Sequence, residues 1–154
     1  MKKRLMMLLL AVTLCVTGIF SVNTTSNAEE IGEDVEYESL LTEDALIGHI
    51  QSQTWGVYLV DGTSVINDAG GGKIGAGGIT TAAKACKVSV NVIVERKVSG
   101  SWVRVTSWTA TKTSATSVMS SKALSVTSGY YYRVRCVHSA STDTSSSYTG
   151  ALWM

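Results

Sequence analysis

The sequence lacks the residues that most catalytic sites and extended linkers are built from. Its 154 residues include no proline, one phenylalanine, two histidines and three cysteines. The absence of proline argues against an extended stalk or linker. A serine or cysteine nucleophile needs a base and an orienting acid that converge on it, and only His49 and His138 could act as that histidine base. We therefore expect a protein that is not an enzyme and that uses no cofactor.

The N-terminal 28 residues have the pattern of a secretory signal peptide. Three basic residues follow Met1, an apolar run spans residues 5–20, and the small residues Ser26 and Ala28 fit a cleavage site before Glu29. The apolar run is interrupted by polar residues and falls short of the roughly 20 residues that a membrane span requires. The sequence thus predicts a secreted, extracellular protein without a permanent membrane anchor.

Charge is divided unevenly along the remaining chain. Residues 29–44 hold eight acidic residues and no basic one, whereas residues 45–154 hold four acidic and ten basic residues. The segment 29–53 is therefore interpreted as an acidic leader or propeptide, with a possible short helix that begins after Thr42. A removable propeptide, a tail docked on the basic domain and a solubilising leader all fit this pattern.

From residue 54 onward the sequence changes to short runs of alternating polar and apolar residues separated by turn signals. The clearest is 86–97, which Val98–Ser101 joins as a hairpin loop to 102–111, and a third run spans 129–138. No long helical pattern occurs in 54–154. The pattern predicts an all-β domain, an antiparallel β-sandwich of seven or eight strands.

The glycine-rich stretch 68–78 satisfies the spacing GxGxxG but has none of its context. Six of its eleven residues are glycine. A dinucleotide site needs a strand before this motif and a helix after it, and a phosphate loop needs Ser or Thr where Ile74 stands. We interpret the stretch as a flexible loop.

Two resemblances rest on particular residues. The set Leu124, Tyr130, Val134 and Cys136 resembles the region of fibronectin type III and immunoglobulin-like sandwiches in which a tyrosine hydroxyl binds the chain at a corner. That resemblance implies an immunoglobulin or fibronectin III-like fold, with Tyr130 as the corner tyrosine.

The second resemblance is to a family of small secreted proteins of Gram-positive bacteria that has no assigned function. It rests on recurrent pieces of the β-domain: Gly56–Leu59, Asp68–Ile74, Val94–Arg96, Gly129–Val134 and Ser146–Gly150. It implies a signal peptide, one β-rich domain and no catalytic residues.

Two cysteines remain after the signal peptide. By alternation, Cys86 and Cys136 lie on the valine and tyrosine faces of their strands, and neighbouring antiparallel strands could bring them together. We predict a disulfide between them, with two buried free thiols as the alternative. No metal site is expected, because the partners of a zinc site are missing.

The opposite face of the same strands carries the candidate binding residues. Aromatic and arginine side chains on a rigid sheet suit recognition of a cell-wall glycan, an anionic polymer or a protein. Nucleic acid is not an expected partner of an exported protein, and simple cross-strand pairing is the structural alternative. The candidate residues are Trp102, Arg104, Trp108, Tyr131, Arg133 and Arg135.

The function predicted from the sequence is that of a secreted, non-catalytic binding or structural domain. The alternative is a small secreted effector or bacteriocin-like toxin whose acidic segment 29–53 is a masking propeptide. The sequence does not determine the ligand or the oligomeric state.

Overall fold

The computed structural model describes residues 32–50 and 56–154, and this part of the chain is all-β as predicted. It contains eight strands, every pairing between them is antiparallel, and it has no α-helix. One 3₁₀ helix spans Tyr37–Leu40. The strands are β1 Glu33–Asp34, β2 Leu46–His49, β3 Leu59–Gly70, β4 Lys73–Val98, β5 Ser101–Ser125, β6 Tyr131–Ala140, β7 Asp143–Tyr148 and β8 Leu152–Trp153.

Two strands are far longer than the short runs predicted. Strands β4 and β5 have 26 and 25 residues and pair along most of their length. The first part of β4 pairs with β3, and its second part pairs with β6. The ladder between β4 and β5 is irregular between Thr81 and Val88, which separates these two parts. The hairpin therefore contributes strands to both layers of a sandwich.

The two layers can be read from the pairings. The first layer runs β2, β3, the beginning of β4, the end of β5 and β1. The second runs from the beginning of β5 through the end of β4 to β6, which pairs with β7 and β8. A continuous sheet folded on itself thus gives the predicted β-sandwich.

The valines of β4 form the centre of the core. Val88, Val90, Val92 and Val94 have no exposed surface, and Tyr132, Val134 and Cys136 of β6 are buried beside them. This inward face agrees with the predicted alternation. Full burial of each such side chain contributes roughly 1.5–3 kcal/mol.

Glycines of the first layer allow the two layers to approach closely. A Cβ atom on Gly78 would lie 2.5 Å from the Cys136 sulfur and 3.1 Å from Val90 Cγ2. Gly75 and Gly77 are also buried within β4. The interpretation of 68–78 as a flexible loop was therefore wrong. Only Gly71 and Gly72 form a turn, Gly70 is the last residue of β3, and the remaining glycines lie in the packed strand β4.

Two tight turns close the long hairpins. Gly71 and Gly72 have φ of 61° and 74°, and Ser99 and Gly100 have φ of 49° and 85°. Two successive positive φ angles match the twist of the flanking antiparallel strands. The hairpin predicted at residues 98–101 is confirmed.

The described part of the acidic segment packs on the sandwich. Strand β1 pairs with β5, β2 pairs with β3, and Tyr37 and Leu40 are buried against Val65. The Tyr37 hydroxyl lies 3.0 Å from Thr63 Oγ1. The short helix predicted after Thr42 does not form, because Leu46–His49 pairs as a strand instead. The predicted signal peptide, 1–28, lies outside the described residues.

The predicted disulfide is not formed, and both Cys86 and Cys136 are free thiols. Cys136 lies opposite Val92, six residues along β4 from Cys86. At about 3.3 Å per residue the two positions are separated by ~20 Å along the strand. Burial raises the pKa of the Cys136 thiol, as expected for a residue that acts as a small apolar core group.

The tyrosine whose hydroxyl binds back to the chain is Tyr132 and not Tyr130. The Tyr132 hydroxyl donates a hydrogen bond of 2.7 Å to the carbonyl oxygen of Thr127. The ring of Tyr130 instead lies under the Arg96 guanidinium, with 4.4 Å between Cζ and the ring centroid. Tyr132 is the first residue of β6 that faces the core, and its side chain is buried.

Across residues 32–50 and 56–154, no helix has the length and apolar character needed to cross a membrane.

We predict that residues 32–50, the described part of the acidic segment, belong to the folded unit. A chain of residues 54–154 loses β1, β2 and the buried Tyr37 and Leu40, so its free energy of unfolding should fall by about 3 kcal/mol or more. Urea denaturation followed by fluorescence measures this. A chain of residues 32–154 serves as the control and should match residues 29–154. Equal stability of all three chains would contradict the assignment.

Candidate functional site

The outer face of the second layer brings aromatic and cationic side chains together at one end of the sheet. Cross-strand pairing sets Trp102 beside Lys97, Arg104 beside Glu95, and Glu95 beside Arg133. Tyr131 lies opposite Trp153, and Arg135 lies opposite Tyr148. We call this surface the outer platform, and it consists of Glu95, Lys97, Trp102, Arg104, Tyr131, Arg133, Arg135, Tyr148 and Trp153.

Arg133 is the centre of the platform. Its Nε donates a hydrogen bond of 2.7 Å to Glu95 Oε2. Its Cζ lies 4.4 Å from the ring centroid of Trp102 and 5.1 Å from that of Tyr148. A guanidinium held by a carboxylate and two rings has little rotational freedom, and each ring contact adds about 0.5–1 kcal/mol or more.

Glu95 joins the two arginines of β6. Its side chain is 10% exposed, and its second oxygen, Oε1, accepts a hydrogen bond of 3.3 Å from Arg135 Nε. Both partners remain partly in water, since Arg133 and Arg135 are 23% and 32% exposed. A nearly buried carboxylate is stable only when it is paired in this way. The ion pair therefore positions both guanidinium groups.

The most exposed rings lie at the edge of the platform. Trp153, Tyr131 and Tyr148 are 58%, 46% and 43% exposed. The rings of Tyr131 and Trp153 meet edge to face, with 4.8 Å between their centroids. Large aromatic groups that remain exposed beside one another are typical of a recognition surface.

The platform is electropositive. Lys97, Arg104, Arg133 and Arg135 carry four positive charges against the single carboxylate of Glu95, a net charge of +3. Concentrated charge of one sign attracts ligands of the opposite sign and raises their rate of association.

Five of the six predicted binding residues belong to the platform, but Trp108 does not. Trp108 lies opposite Val92 and packs against the core, where its Nε1 donates a hydrogen bond of 3.0 Å to Ser120 Oγ. A register shift between Val94 and Glu95 adds one residue to β5 at Val105 and reverses the alternation there. The prediction for Trp108 was wrong because a bulge carries no clear sequence signal.

Four residues of the platform, Glu95, Lys97, Tyr148 and Trp153, were not among the residues predicted from the sequence. Glu95 and Lys97 could have been found, since alternation along β4 places both on the outer face. Tyr148 and Trp153 could not, because they join the platform only when β7 and β8 return to β6.

His138, one of the two histidines that could act as a base, belongs to a buried polar network. His138 Nδ1 lies 2.8 Å from Thr80 Oγ1, and its Nε2 lies 2.7 Å from Ser147 Oγ. His138 and Ser147 have no exposed surface. Asp143 is directed elsewhere, since its Oδ2 accepts hydrogen bonds of 2.6 and 3.0 Å from the amides of Tyr58 and Leu59. These residues do not form a catalytic triad that a substrate can reach.

Burial lowers the pKa of His138 to about 4, and the negative charge of Asp61 opposes this shift only partly. The imidazole is therefore neutral at ordinary pH. Its two ring nitrogens connect Thr80 of the first layer with Ser147 of the second. The network thus fixes the relative position of the layers.

A separate cleft of about 480 Å³ opens on the core-facing side of the second layer. Apolar side chains of Val94, Val105, Leu124 and Val126 line it, with Glu33 and Lys73 also at its wall. None of the platform residues lines this cleft. In the described ranges, no three His, Cys, Asp or Glu side chains are grouped as metal ligands.

The fold and the platform define a class of protein: an all-β sandwich that presents an aromatic and cationic outer face. The chain belongs to a family of unknown function (DUF6147), whose model matches residues 25–151. Membership of a family without an assigned function agrees with the resemblance noted in the sequence.

Comparison with other known proteins adds little to this assignment. No curated protein matches the chain. The solution structure of R. palustris CsgH is similar over 53% of this chain and 83% of that chain, with 19% sequence identity and a TM-score of 0.36. A likeness at this level carries no inference about function.

We predict that stability falls on acidification because of His138. Its folded pKa lies below the ordinary value of 6.5, so the unfolded chain binds the proton first. The stabilisation is complete above pH 6.5 and is lost as the pH falls toward 4, by roughly 2–3 kcal/mol at pH 4.5. Urea denaturation at pH 7.5 and 4.5 measures the difference.

Two variants test the assignment of this acid sensitivity. His138→Gln removes the titrating group, so the difference between the two pH values should shrink whatever its absolute stability. His49→Gln, at an exposed residue, should retain the full difference. The same pH dependence in His138→Gln would show that another group causes it.

We also predict that Arg133 is required for stability, unlike Arg104. Arg133→Ala leaves Arg135 as the remaining ion-pair partner of Glu95, and it removes the guanidinium that packs on the rings of Trp102 and Tyr148. The free energy of unfolding should therefore fall by about 2–3 kcal/mol. Arg104 is exposed, and Arg104→Ala should change it by about 0.5 kcal/mol or less. Urea denaturation at pH 7 compares the two, and equal losses would contradict the central role of Arg133.

Proposed function

We propose that this protein is a secreted, non-catalytic binding domain that holds a polymer or protein of the cell surface on its outer platform. The observation that carries the proposal is the position of Arg133 between Trp102 and Tyr148, next to the exposed rings of Tyr131 and Trp153. Aromatic and arginine side chains are the residues that contribute most to binding at protein surfaces.

Rigidity supports a role in binding. The platform lies on β4 and β6, which pair continuously from Val88 to Arg96 and are packed on a fully buried valine face. Side chains that are already ordered lose little entropy when a ligand binds. The ion pair of Glu95 with Arg133 and Arg135 has the same effect on the cations.

Cross-strand pairing alone accounts for only part of the platform. Trp102, Arg133 and Glu95 satisfy one another, and their arrangement would stiffen the sheet without any ligand. Trp153 and Tyr131 remain largely exposed although each has a partner. Exposed apolar surface of this kind has a cost in water unless a ligand covers it.

Export is the part of the proposal that rests on the sequence. The basic start, the apolar run and the small residues before Glu29 have the order of a secretory signal. The electropositive face of an exported protein would attract the anionic polymers of the cell envelope.

The alternative of a secreted effector with a masking propeptide has less support. It requires segment 29–53 to leave the domain, yet Tyr37 and Leu40 of that segment are buried and Asn67 Nδ2 donates a hydrogen bond of 3.2 Å to the Leu40 carbonyl. Removal would expose the apolar partners of this segment on β3. The described part of this segment, residues 32–50, therefore acts as a structural part of the sandwich in this proposal.

The proposal predicts that Trp153→Ala and Tyr131→Ala weaken retention of the protein on isolated cell envelopes of the producing organism. Each loss should reduce the bound fraction at sub-saturating protein about fivefold or more, as for a contact residue worth over 1 kcal/mol. Co-sedimentation measures retention, and circular dichroism checks that both variants fold.

Met119→Ala is the matched control. Met119 is 41% exposed and lies on the part of β5 that pairs with the first layer. The variant should be retained like the unmodified chain. Retention that is unchanged in Trp153→Ala and Tyr131→Ala, or equally weakened in Met119→Ala, would refute a binding role for the platform.

A further inference from the structure

The platform is organised in rows that run across the strands. Trp102, Lys97, Tyr131 and Trp153 come from β5, β4, β6 and β8 in that order, because Trp102 pairs with Lys97 and Tyr131 pairs with Trp153. The pairing of Arg96 with Tyr132 sets Lys97 next to Tyr131 and completes the row. We call these four residues the aromatic row.

A second row of charges lies alongside the first. Arg104, Glu95 and Arg133 occupy β5, β4 and β6 at the next outward-facing positions. Neighbouring strands lie about 4.8 Å apart, and successive outward residues of one strand are about 7 Å apart. The aromatic row is therefore ~14 Å long, with the charged row about 7 Å away and parallel to it.

The two rows expose different chemical groups to solvent. In the aromatic row Trp153 and Tyr131 are 58% and 46% exposed, whereas Trp102 is partly covered by the Arg133 guanidinium. In the charged row Arg104 is exposed, and Arg133 is bound to Glu95 through Nε, so its terminal nitrogens remain available as donors. The aromatic row thus offers exposed aromatic rings, and the charged row offers guanidinium donors.

We propose that the platform binds a linear anionic glycan that lies across the strands. This inference rests on the proposed binding function and specifies its ligand. Sugar rings stack on Trp153 and Tyr131, since the polarised C–H groups of a pyranose face suit the electron-rich face of an aromatic ring. Carboxylate or phosphate groups of the same chain face Arg104, Arg133 and Arg135, which bind such groups through paired donors.

The platform fits a glycan better than a folded protein partner. A third row beyond these two holds Ser107, Ile93, Arg135 and Tyr148, of which only Tyr148 exposes a large apolar group. Further along the same face the residues of β4, β5 and β7 are polar, namely Asn91, Thr109 and Ser146. A stable protein interface buries about 800 Å² per partner around an apolar centre from which charges are depleted. Here the charges lie at the centre, with the exposed rings of Trp153 and Tyr131 on one side and that of Tyr148 on the other.

The platform also fits a glycan better than a polymer recognised by charge alone. Glu95 lies between Arg104 and Arg133 and offsets part of the positive charge. A surface that bound any polyanion would not place a nearly buried carboxylate among its cations. The exposed rings would, in addition, have no role in such binding.

Binding of defined polymers to residues 29–154 tests the inference. The probes are an oligoglucuronate, a phosphorylated glucan oligomer, a size-matched neutral glucan oligomer and inorganic polyphosphate, with isothermal titration calorimetry as the measurement. We expect one or both anionic glycans to bind at least tenfold more tightly than the neutral glucan and the polyphosphate. Whether the carboxylated or the phosphorylated oligomer binds more tightly identifies the anionic group.

Variants separate the two rows. Trp153→Ala should weaken anionic-glycan binding fivefold or more and leave its salt dependence unchanged, because the stacking surface is lost and the charges remain. Arg104→Gln should weaken binding and reduce the salt dependence, because one cation is lost. Met119→Ala is the control and should bind like the unmodified chain.

The outcomes distinguish this inference from the proposed function. Neutral glucan bound as tightly as the anionic oligomers would overturn the requirement for charge, and polyphosphate bound as tightly would overturn the requirement for sugar rings. If no oligomer binds but envelope retention still depends on Trp153, the ligand is of another class and only this inference fails. If retention is also independent of Trp153, the proposed function fails with it.

Discussion

The structure depends on one constraint: the long β4–β5 hairpin has to serve two layers. Its strands of 26 and 25 residues pair first with β3 and β1 and then with β6. Because both layers share these strands, their separation is set by the side chains that meet between them. Gly78 lies at one of the close approaches, where any side chain would meet the Cys136 sulfur. The valine core and the glycines of β4 are two parts of the same packing solution.

Buried polar groups then determine how the layers are aligned. His138 reaches Thr80 in one layer and Ser147 in the other, and both of its ring nitrogens have partners. An unsatisfied imidazole in this position would cost much of the stability that the core provides, so only one alignment of the layers is favourable. The close approach of Gly62 to the His138 ring shows how little space this alignment leaves.

The outer platform is a consequence of the same alignment. Strand β6 presents Tyr132 and Val134 to the core, and this leaves Tyr131, Arg133 and Arg135 on the outside. The bulge near Val105 restores the outward direction of Arg104 and Trp102 beside Glu95. The cations and rings are therefore held by strand register and by the two ion pairs of Glu95, and no loop is needed to position them. A rigid, non-enclosed surface of this type suits an extended ligand.

The sequence by itself determined the class of fold, the inward and outward faces of β4 and β6, the hairpin at residues 98–101 and most of the platform. These features follow from local alternation and turn chemistry, which act between residues close in the chain. The predicted outward position of Trp108 was wrong because of a bulge in β5. The glycines of 68–78 were interpreted from composition, whereas several of them allow close packing in which a Cβ atom would not fit.

Only the tertiary structure decided the features that depend on pairing between distant segments. The six-residue offset that keeps Cys86 from Cys136 is a matter of register between β4 and β6. The burial of Tyr37 depends on the docking of an acidic segment that composition alone describes as unable to pack. The return of β7 and β8 brings Tyr148 and Trp153 to Arg133 and Tyr131. Alternation shows which face a residue occupies, but the neighbours on that face are set by the packing of the whole sheet.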